Sequence, residues 1–143
     1  MNSSVANRYR SDGMASTPPG RLLTMLYDRM LLDFDRAIDA IERRAIEEAH
    51  NALIHAQEIV FELHMALDLE AWPDGGALAD LYVYLTEQLA AANAKKSIAL
   101  VENCRAVVEP LAESWHEAYR QTTAGLAGPS TAASSALSAG ISA

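Results

Sequence analysis

The sequence predicts an all-α protein, an antiparallel four-helix bundle with a short N-terminal arm and a disordered C-terminal tail. Apolar residues recur at steps of three and four along most of the chain, which places them on one side of an α-helix. Apart from Pro110, the few glycines and prolines cluster near residues 13–20, 73–76 and 125–140, so long stretches carry no helix breaker. Hydrophobic residues make up 50% of the chain and aromatic residues only 6%, which favours an aliphatic helical core.

Composition divides the 143 residues into three parts. We expect residues 1–17 to form a polar N-terminal arm, residues 18–120 to form the bundle, and residues 121–143 to form a tail. The tail consists mainly of alanine, serine, threonine and glycine and has no charged side chain. So little bulky apolar surface cannot offset the entropy cost of ordering the chain, so we expect the tail to be disordered.

The first predicted helix begins at Pro19 and carries apolar residues on two sides. Proline is tolerated in the first turn, where its missing N–H would have no helical partner. At about 100° per residue, one broad stripe should face the core. This stripe contains Leu23, Leu26, Tyr27, Met30, Phe34 and Ala37. Met25 and Leu32, with Leu22 at the margin, point nearly the opposite way, so we expect another segment or molecule to lie along that face.

A turn is expected near Arg43 to Ile46, although neither glycine nor proline occurs in residues 21–69. One helix of about 49 residues would be about 73 Å long, which a globular domain of this size cannot cover. The second helix then has the most regular seam of the chain, with alternating steps of three and four. That seam contains Ile46, Ala49, Leu53, Ala56, Val60, Leu63 and Leu67.

The third and fourth helices follow a break at residues 72–76. We expect Asp74 to cap the third helix and Asn93 to end it in a left-handed conformation. Ser97 is expected to cap the fourth helix, and Pro110 in its interior predicts a bend one turn earlier. The third helix should bury Leu78, Leu81, Tyr82, Leu85, Leu89 and Ala92, and the fourth Val101, Cys104, Val108, Leu111, Trp115 and Ala118.

Charge and composition argue against several classes of partner. Nineteen acidic and eleven basic residues give a net charge of −8 without any basic block, so we expect no nucleic-acid binding. The first twenty residues lack the apolar run of a signal peptide, and no stretch approaches the roughly 18 apolar residues of a membrane span. We therefore expect a cytoplasmic protein that does not insert into a membrane.

Two Glu-x-x-His patterns, Glu47/His50 and Glu113/His116, are typical of di-metal sites in four-helix bundles. The helical periodicity places the second pair on an outer face and the first beside the seam, so neither is expected to reach the centre. The histidines, and acidic residues such as Asp33, are interpreted as a solvated surface. We therefore expect no enzyme, no metal site and no cofactor.

Apolar surface remains beyond what the core needs. It comprises Leu22, Met25 and Leu32 on the first helix and Val83 and Tyr84 on the third. Methionine and tyrosine suit adaptable partner grooves. The alternative is a structural homo-oligomer, in which these faces pair bundles with one another. These residues are also compatible with the single exposed apolar side chains that occur on most protein surfaces.

A series of short segments from Tyr9 to Trp115 stands in a distinctive order. Tyr9 is followed ten residues later by Pro19, then by LLTMLYD at residues 22–28, AQEIVFEL at 56–63, LDLE at 67–70, LYVYL at 81–85 and LAAANAKKS at 89–97. In order and spacing these segments resemble the FliS family of flagellar export chaperones, which bind flagellin. The resemblance covers most of the chain.

The resemblance implies a four-helix bundle without catalytic groups, whose outer grooves receive the C-terminal segment of flagellin and keep it from polymerising before export. It implies a partner-binding surface containing Tyr9, Leu22, Met25, Tyr27, Leu32, Leu81, Val83, Tyr84, Gln88 and Asn93. The arm, through Tyr9 and Met14, would occupy part of this groove when no client is bound. Components of the flagellar export system would be further partners, and the chaperone is expected to be a monomer or a weak homodimer.

Overall fold

The computed structural model describes residues 19–124 and is built from four α-helices. They are α1 (Pro19–Glu42), α2 (Ile46–Ala66), α3 (Gly76–Lys95) and α4 (Ile98–Ala124), with a short 3-10 turn at Pro73–Gly75 before α3. No strand occurs among the described residues, and the predicted all-α class is confirmed. Tyr9 with the rest of the predicted arm, and the tail beyond Ala124, lie outside the described range. α4 itself continues to Ala124, past the expected end at Arg120.

The helices form a ring in which each packs against its neighbours in sequence. α1 and α3 both contact α2 and α4, so α1 lies diagonally opposite α3. Side-chain pairs between α1 and α4 show that these two run antiparallel: Asp28 meets His116 at 2.9 Å, and Asp35 meets Arg105 at 2.9 Å. The predicted antiparallel bundle is therefore present.

One continuous apolar core lies between the four helices. The predicted stripes supply most of it, since the largest fully buried side chains are Tyr27, Tyr82, Phe34, Met30, Leu53, Leu78, Leu85, Leu89, Val60, Val101 and Val108. Cys104 is fully buried, as its register predicted. Ile46 is an exception, because it stands at the first position of α2 and is 52% exposed. Leu26, Leu81 and Trp115 are partly buried and pack against this core. Steps of three and four therefore placed the predicted residues in the core or against it, with Ile46 as the exception.

Two helix ends use left-handed residues that are not glycine. After α1, Arg44 has φ 62°, the Ala45 N–H donates to the Ala40 carbonyl at 2.8 Å, and the Arg44 N–H donates to Ile41 at 3.0 Å. After α3, Lys96 has φ 49° and the Ser97 N–H donates to the Ala92 carbonyl at 3.1 Å. Such bonds satisfy the last carbonyls of a helix and stop it.

The second of these ends corrects one expectation. Asn93 does not end α3; it remains helical, and the ammonium of Lys96 donates to its carbonyl oxygen at 2.6 Å and to its Oδ1 at 2.8 Å. The left-handed position falls three residues later, on Lys96. The turn near residues 43–46, by contrast, is where the length argument placed it.

The expected caps had different outcomes. Ser97 caps α4, because its hydroxyl accepts the Leu100 N–H at 3.2 Å. The prediction for Asp74 was wrong, since α3 starts from Gly75 without a side-chain cap. The chain between α2 and α3 is held instead by Asp68, whose Oδ1 accepts the N–H groups of residues 70 and 71. Gly75 lies so close to the Trp72 ring that a Cβ atom would approach it to 2.9 Å, which explains a glycine there.

α4 runs through Pro110 as one helix. The bend expected one turn before this proline stays a prediction.

A buried carboxylate joins α1 to α2. The Asp33 side chain is only 2% exposed, its Oδ2 lies 2.5 Å from Nδ1 of His55, and Nε of Arg29 donates to its Oδ1 at 3.3 Å. The interpretation of Asp33 as a solvated surface acid was therefore wrong. Its position next to the core stripe allows burial because two polar partners replace its lost water.

Replacing His55 with alanine should lower the free energy of unfolding by about 1–3 kcal/mol, because the buried Asp33 carboxylate loses one of its two partners. His116→Ala is the matched control. It removes a similar histidine–aspartate pair whose Asp28 carboxylate is 53% exposed, so we expect a loss of at most about 1 kcal/mol. Urea unfolding followed by circular dichroism measures both losses, and equal values would contradict the special role of Asp33.

Candidate partner-binding surface

The outer side of α1 exposes apolar side chains, as the sequence predicts. Met25 is 50% exposed and Leu32 40%, while Leu22 is half-buried. We call these three residues the α1 face. Arg29 and Arg36 are exposed beside it and add positive charge. Met25 and Leu32 lie outside a core that is complete without them, so they are available to a partner.

The predicted residues of α3 fall on two sides of that helix. Leu81, Tyr84 and Gln88 follow one another at steps of three and four and share one side, on which Tyr84 is 40% exposed. Asn93 turns toward α2, where its Nδ2 lies 3.1 Å from Nδ1 of His50. Val83 is 46% exposed. These five residues therefore do not form one patch.

Tyr27 was predicted both in the core stripe and in the partner-binding surface, and it lies in the core. It is fully buried, and its hydroxyl lies 2.7 Å from that of Tyr82 across the bundle, with the Trp115 ring centre 6.2 Å away. Burial raises the pKa of Tyr27 to about 12, an effect that its hydrogen bond with Tyr82 opposes. Tyr27 is thus a neutral core residue linking the diagonal helices α1 and α3, and a partner on the surface cannot touch it.

Exposed apolar residues of α2 were missed by the sequence analysis. Phe61 is 48% exposed and Met65 63%, and they stand one turn apart outside the seam. The helical projection that singled out Met25 would have found them as well. The regular seam of α2 predicts only which of its residues are buried.

A cavity of about 310 Å³ opens at the end of the bundle where α1 begins. Its walls are mainly apolar and include Leu23, Leu63, Leu67, Trp72 and Trp115. The segment that joins α2 to α3 forms one wall. No periodic pattern could predict this cavity, since its walls come from all four helices and a connecting segment.

The side chains that suggested a metal site in the sequence do not come together in the described part of the chain. No three His, Cys, Asp or Glu side chains within residues 19–124 converge on a possible ion. Glu47, His50 and Glu113 are exposed. His116 forms a pair with Asp28, in which its Nε2 lies 2.9 Å from the carboxylate. Burial raises the pKa of the Cys104 thiol to about 11, so Cys104 stays protonated at neutral pH and is a poor nucleophile.

None of the helices in the described part of the chain is long and apolar enough to serve as a membrane span.

The comparison with known families decides what kind of protein carries these surfaces. Residues 1–122 match the family described as "Flagellar protein FliS". The chain belongs to the FliS family. It is also 30% identical to the flagellar secretion chaperone FliS of Bacillus subtilis (strain 168), over 114 residues that cover 78% of this chain and 84% of that relative. The resemblance seen in the short sequence segments is thereby confirmed.

The Tyr27–Tyr82 pair yields a prediction about stability. Tyr27→Phe should lower the free energy of unfolding by about 1–3 kcal/mol, because it removes the buried hydrogen bond between the two hydroxyl groups. The double variant Tyr27→Phe/Tyr82→Phe should lose less than the sum of the two single variants, since both single variants remove the same hydrogen bond. Equilibrium urea unfolding of all four proteins measures this coupling, and strictly additive losses would argue against the bond.

Proposed function

We propose that this protein is a cytoplasmic secretion chaperone of the flagellar system, which holds the C-terminal segment of flagellin on its outer apolar surfaces and prevents premature polymerisation. Membership of the FliS family and the similarity to a flagellar secretion chaperone support the general role. The α1 face carries the finer proposal, because Met25 and Leu32 are half-exposed beside a complete core. Such surface suits a segment that is amphipathic and unfolded until it packs.

The α1 face alone is too small to hold a client. Covering a half-exposed Met25 or Leu32 contributes only about 1 kcal/mol each, since full burial of such a side chain contributes about 1.5–3 kcal/mol. Micromolar affinity requires about 8 kcal/mol net, after the cost of ordering the client. The client must therefore contact further surfaces, for which Tyr84 with its neighbours on α3 is the second candidate.

The bundle geometry determines how one client could reach both surfaces. α1 and α3 are diagonal, so their outer sides point in opposite directions. Two helices side by side measure about 20–24 Å, so half the circumference of the bundle is about 35 Å. An extended chain covers that path with about ten residues. We propose that the client wraps around the bundle, with an extended link between the segments that pack on α1 and α3.

Co-purification with flagellin tests the client. The protein should form a one-to-one complex with full-length flagellin and lose it when the flagellin C-terminal segment is deleted, because that segment supplies the packing surface. Sedimentation of the isolated protein is the control for the alternative, a homo-oligomer without a client. Equal binding to both forms of flagellin would rule out the proposal.

Met25→Glu tests the α1 face. We expect flagellin binding to fall at least about a hundredfold, because the complex would take a carboxylate out of water, where methionine had buried apolar surface. Met65→Glu is the matched control: it makes the same change at an exposed methionine of α2 and should leave flagellin binding within about twofold. Binding is measured by calorimetry, and unfolding midpoints must remain unchanged in both variants. Unchanged binding by Met25→Glu would exclude the α1 face.

A further inference from the structure

The outer side of α2 carries an apolar stripe that the proposed client site does not use. Ile54, Phe61 and Met65 are spaced by seven and four residues, which places them along one side of the helix. Phe61 and Met65 are 48% and 63% exposed, and Ile54 is half-buried. The stripe extends over about 16 Å, or three helical turns. We call Ile54, Phe61 and Met65 the α2 stripe.

The stripe borders an open groove between α2 and α3. The groove has a volume of about 380 Å³. His50, Ile54 and Gln57 line it from α2, and Ala90, Asn93 and Ala94 line it from α3, with Lys96 at one end. Oε1 of Gln57 is buried and has no hydrogen-bond donor among residues 19–124. A buried amide oxygen without a donor costs free energy, so a partner that brings an N–H group into the groove would gain by supplying it.

Lys96 lines one end of the groove, where its ammonium donates to Asn93, and the exposed charges along the rest of α2 and α3 are mainly acidic. Glu47 and Glu58 on α2, and Asp80 and Glu87 on α3, are exposed and have no cationic partner among the described residues. The ion pairs between described residues lie on α1, on α4, or at the junctions of α1 with its neighbours, and none includes α3. Glu58 falls within the α2 stripe by helical spacing, and Glu87 stands one turn from the exposed Val83.

We propose that the α2 stripe and the groove beside it bind a basic amphipathic helix of a protein partner. Apolar residues of that helix would cover Phe61 and Met65, and its lysine or arginine side chains would approach Glu58 and Glu87. One of these cationic side chains could also donate to Gln57. Complementary charge of this kind speeds association and selects the partner.

The same charges argue against a second copy of this chain on the stripe. A symmetric dimer through this surface would bring the same patch of each subunit together. Glu58 and its acidic neighbours would then face like charges, which is destabilising. A basic helix removes this repulsion, so the groove fits a different protein better than itself.

The proposal does not rest on the client site. The α1 face has Arg29 and Arg36 beside it, whereas the α2 stripe has acidic neighbours, so the two surfaces favour ligands of different charge. Met25→Glu is expected to leave the α2 stripe intact, and the two proposals can therefore fail separately.

The test uses a fluorescent synthetic helix of about 18 leucine and lysine residues, arranged so that leucines form one side. The full-length protein should bind it in an anisotropy titration, and a peptide with glutamate in place of every lysine should not bind. Hydrogen exchange on the unaltered protein should show protection at residues 54–65 and 83–90 when the lysine peptide is added. Protection elsewhere, or none, would overturn the proposal without any variant.

Two double variants distinguish peptide binding at this site from non-specific attraction of the peptide to an acidic protein. Glu58→Lys/Glu87→Lys should weaken binding of the lysine peptide at least tenfold. Glu102→Lys/Glu113→Lys makes the same change in net charge at exposed acids of α4 and should weaken it no more than about twofold. Equal losses in the two double variants would mean that the peptide merely follows net charge, and the proposal would be wrong.

The apolar part of the site is tested by Phe61→Ala, which should weaken binding of the same peptide at least fivefold while Leu32→Ala leaves it unchanged. Unchanged binding by Phe61→Ala would contradict the proposal. Sedimentation of the unaltered protein and of Phe61→Ala tests whether a second copy of the chain binds the stripe. If the unaltered protein is a dimer and Phe61→Ala is a monomer, the stripe binds a second copy and not a basic helix, and the proposal is wrong.

Discussion

Each helix of this bundle can bury only one side, because four helices share a single apolar core. The core is filled by one stripe from each helix, with Tyr27, Phe34, Leu53 and Leu89 among its fully buried members. Apolar residues on any other side of a helix must stay at the surface, where they raise the free energy of the isolated protein. A chain that keeps several such residues at the surface has surface to offer a partner, and Met25, Leu32, Phe61 and Met65 are of this kind.

Polar groups make the packing of that core specific. The hydroxyl pair of Tyr27 and Tyr82 spans the bundle between its diagonal helices, and the Asp33 carboxylate meets His55 between α1 and α2. Either contact is lost if one helix slides by a turn, because the buried polar atom would then lack its partner. Apolar side chains alone tolerate such shifts more readily. The outer faces consequently keep fixed positions relative to one another, which a wrapping client requires.

The surfaces differ more in charge than in apolar character. The α1 face has arginines beside it, and the groove between α2 and α3 has exposed acids without cationic partners among the described residues. A protein with a net charge of −8 repels acidic molecules in general, so the local distribution matters more for selection than the total. Two ligands of different charge could occupy the bundle together without competing for one groove.

The sequence by itself determined the fold class, the four helices and nearly all of the core, because steps of three and four reflect which side of a helix is buried. It also identified Met25 and Leu32 as outward, for the same reason. Tertiary structure decided the rest. The left-handed residues Arg44 and Lys96 end their helices without glycine, so no local signal marks them.

Burial of Asp33 depends on His55, twenty-two residues away, and the end cavity depends on side chains from all four helices and a connecting segment. The diagonal placement of α1 and α3, which separates the predicted surface into distant parts, follows from how the helices close into a ring. Periodicity describes one helix at a time, and these features exist only between helices.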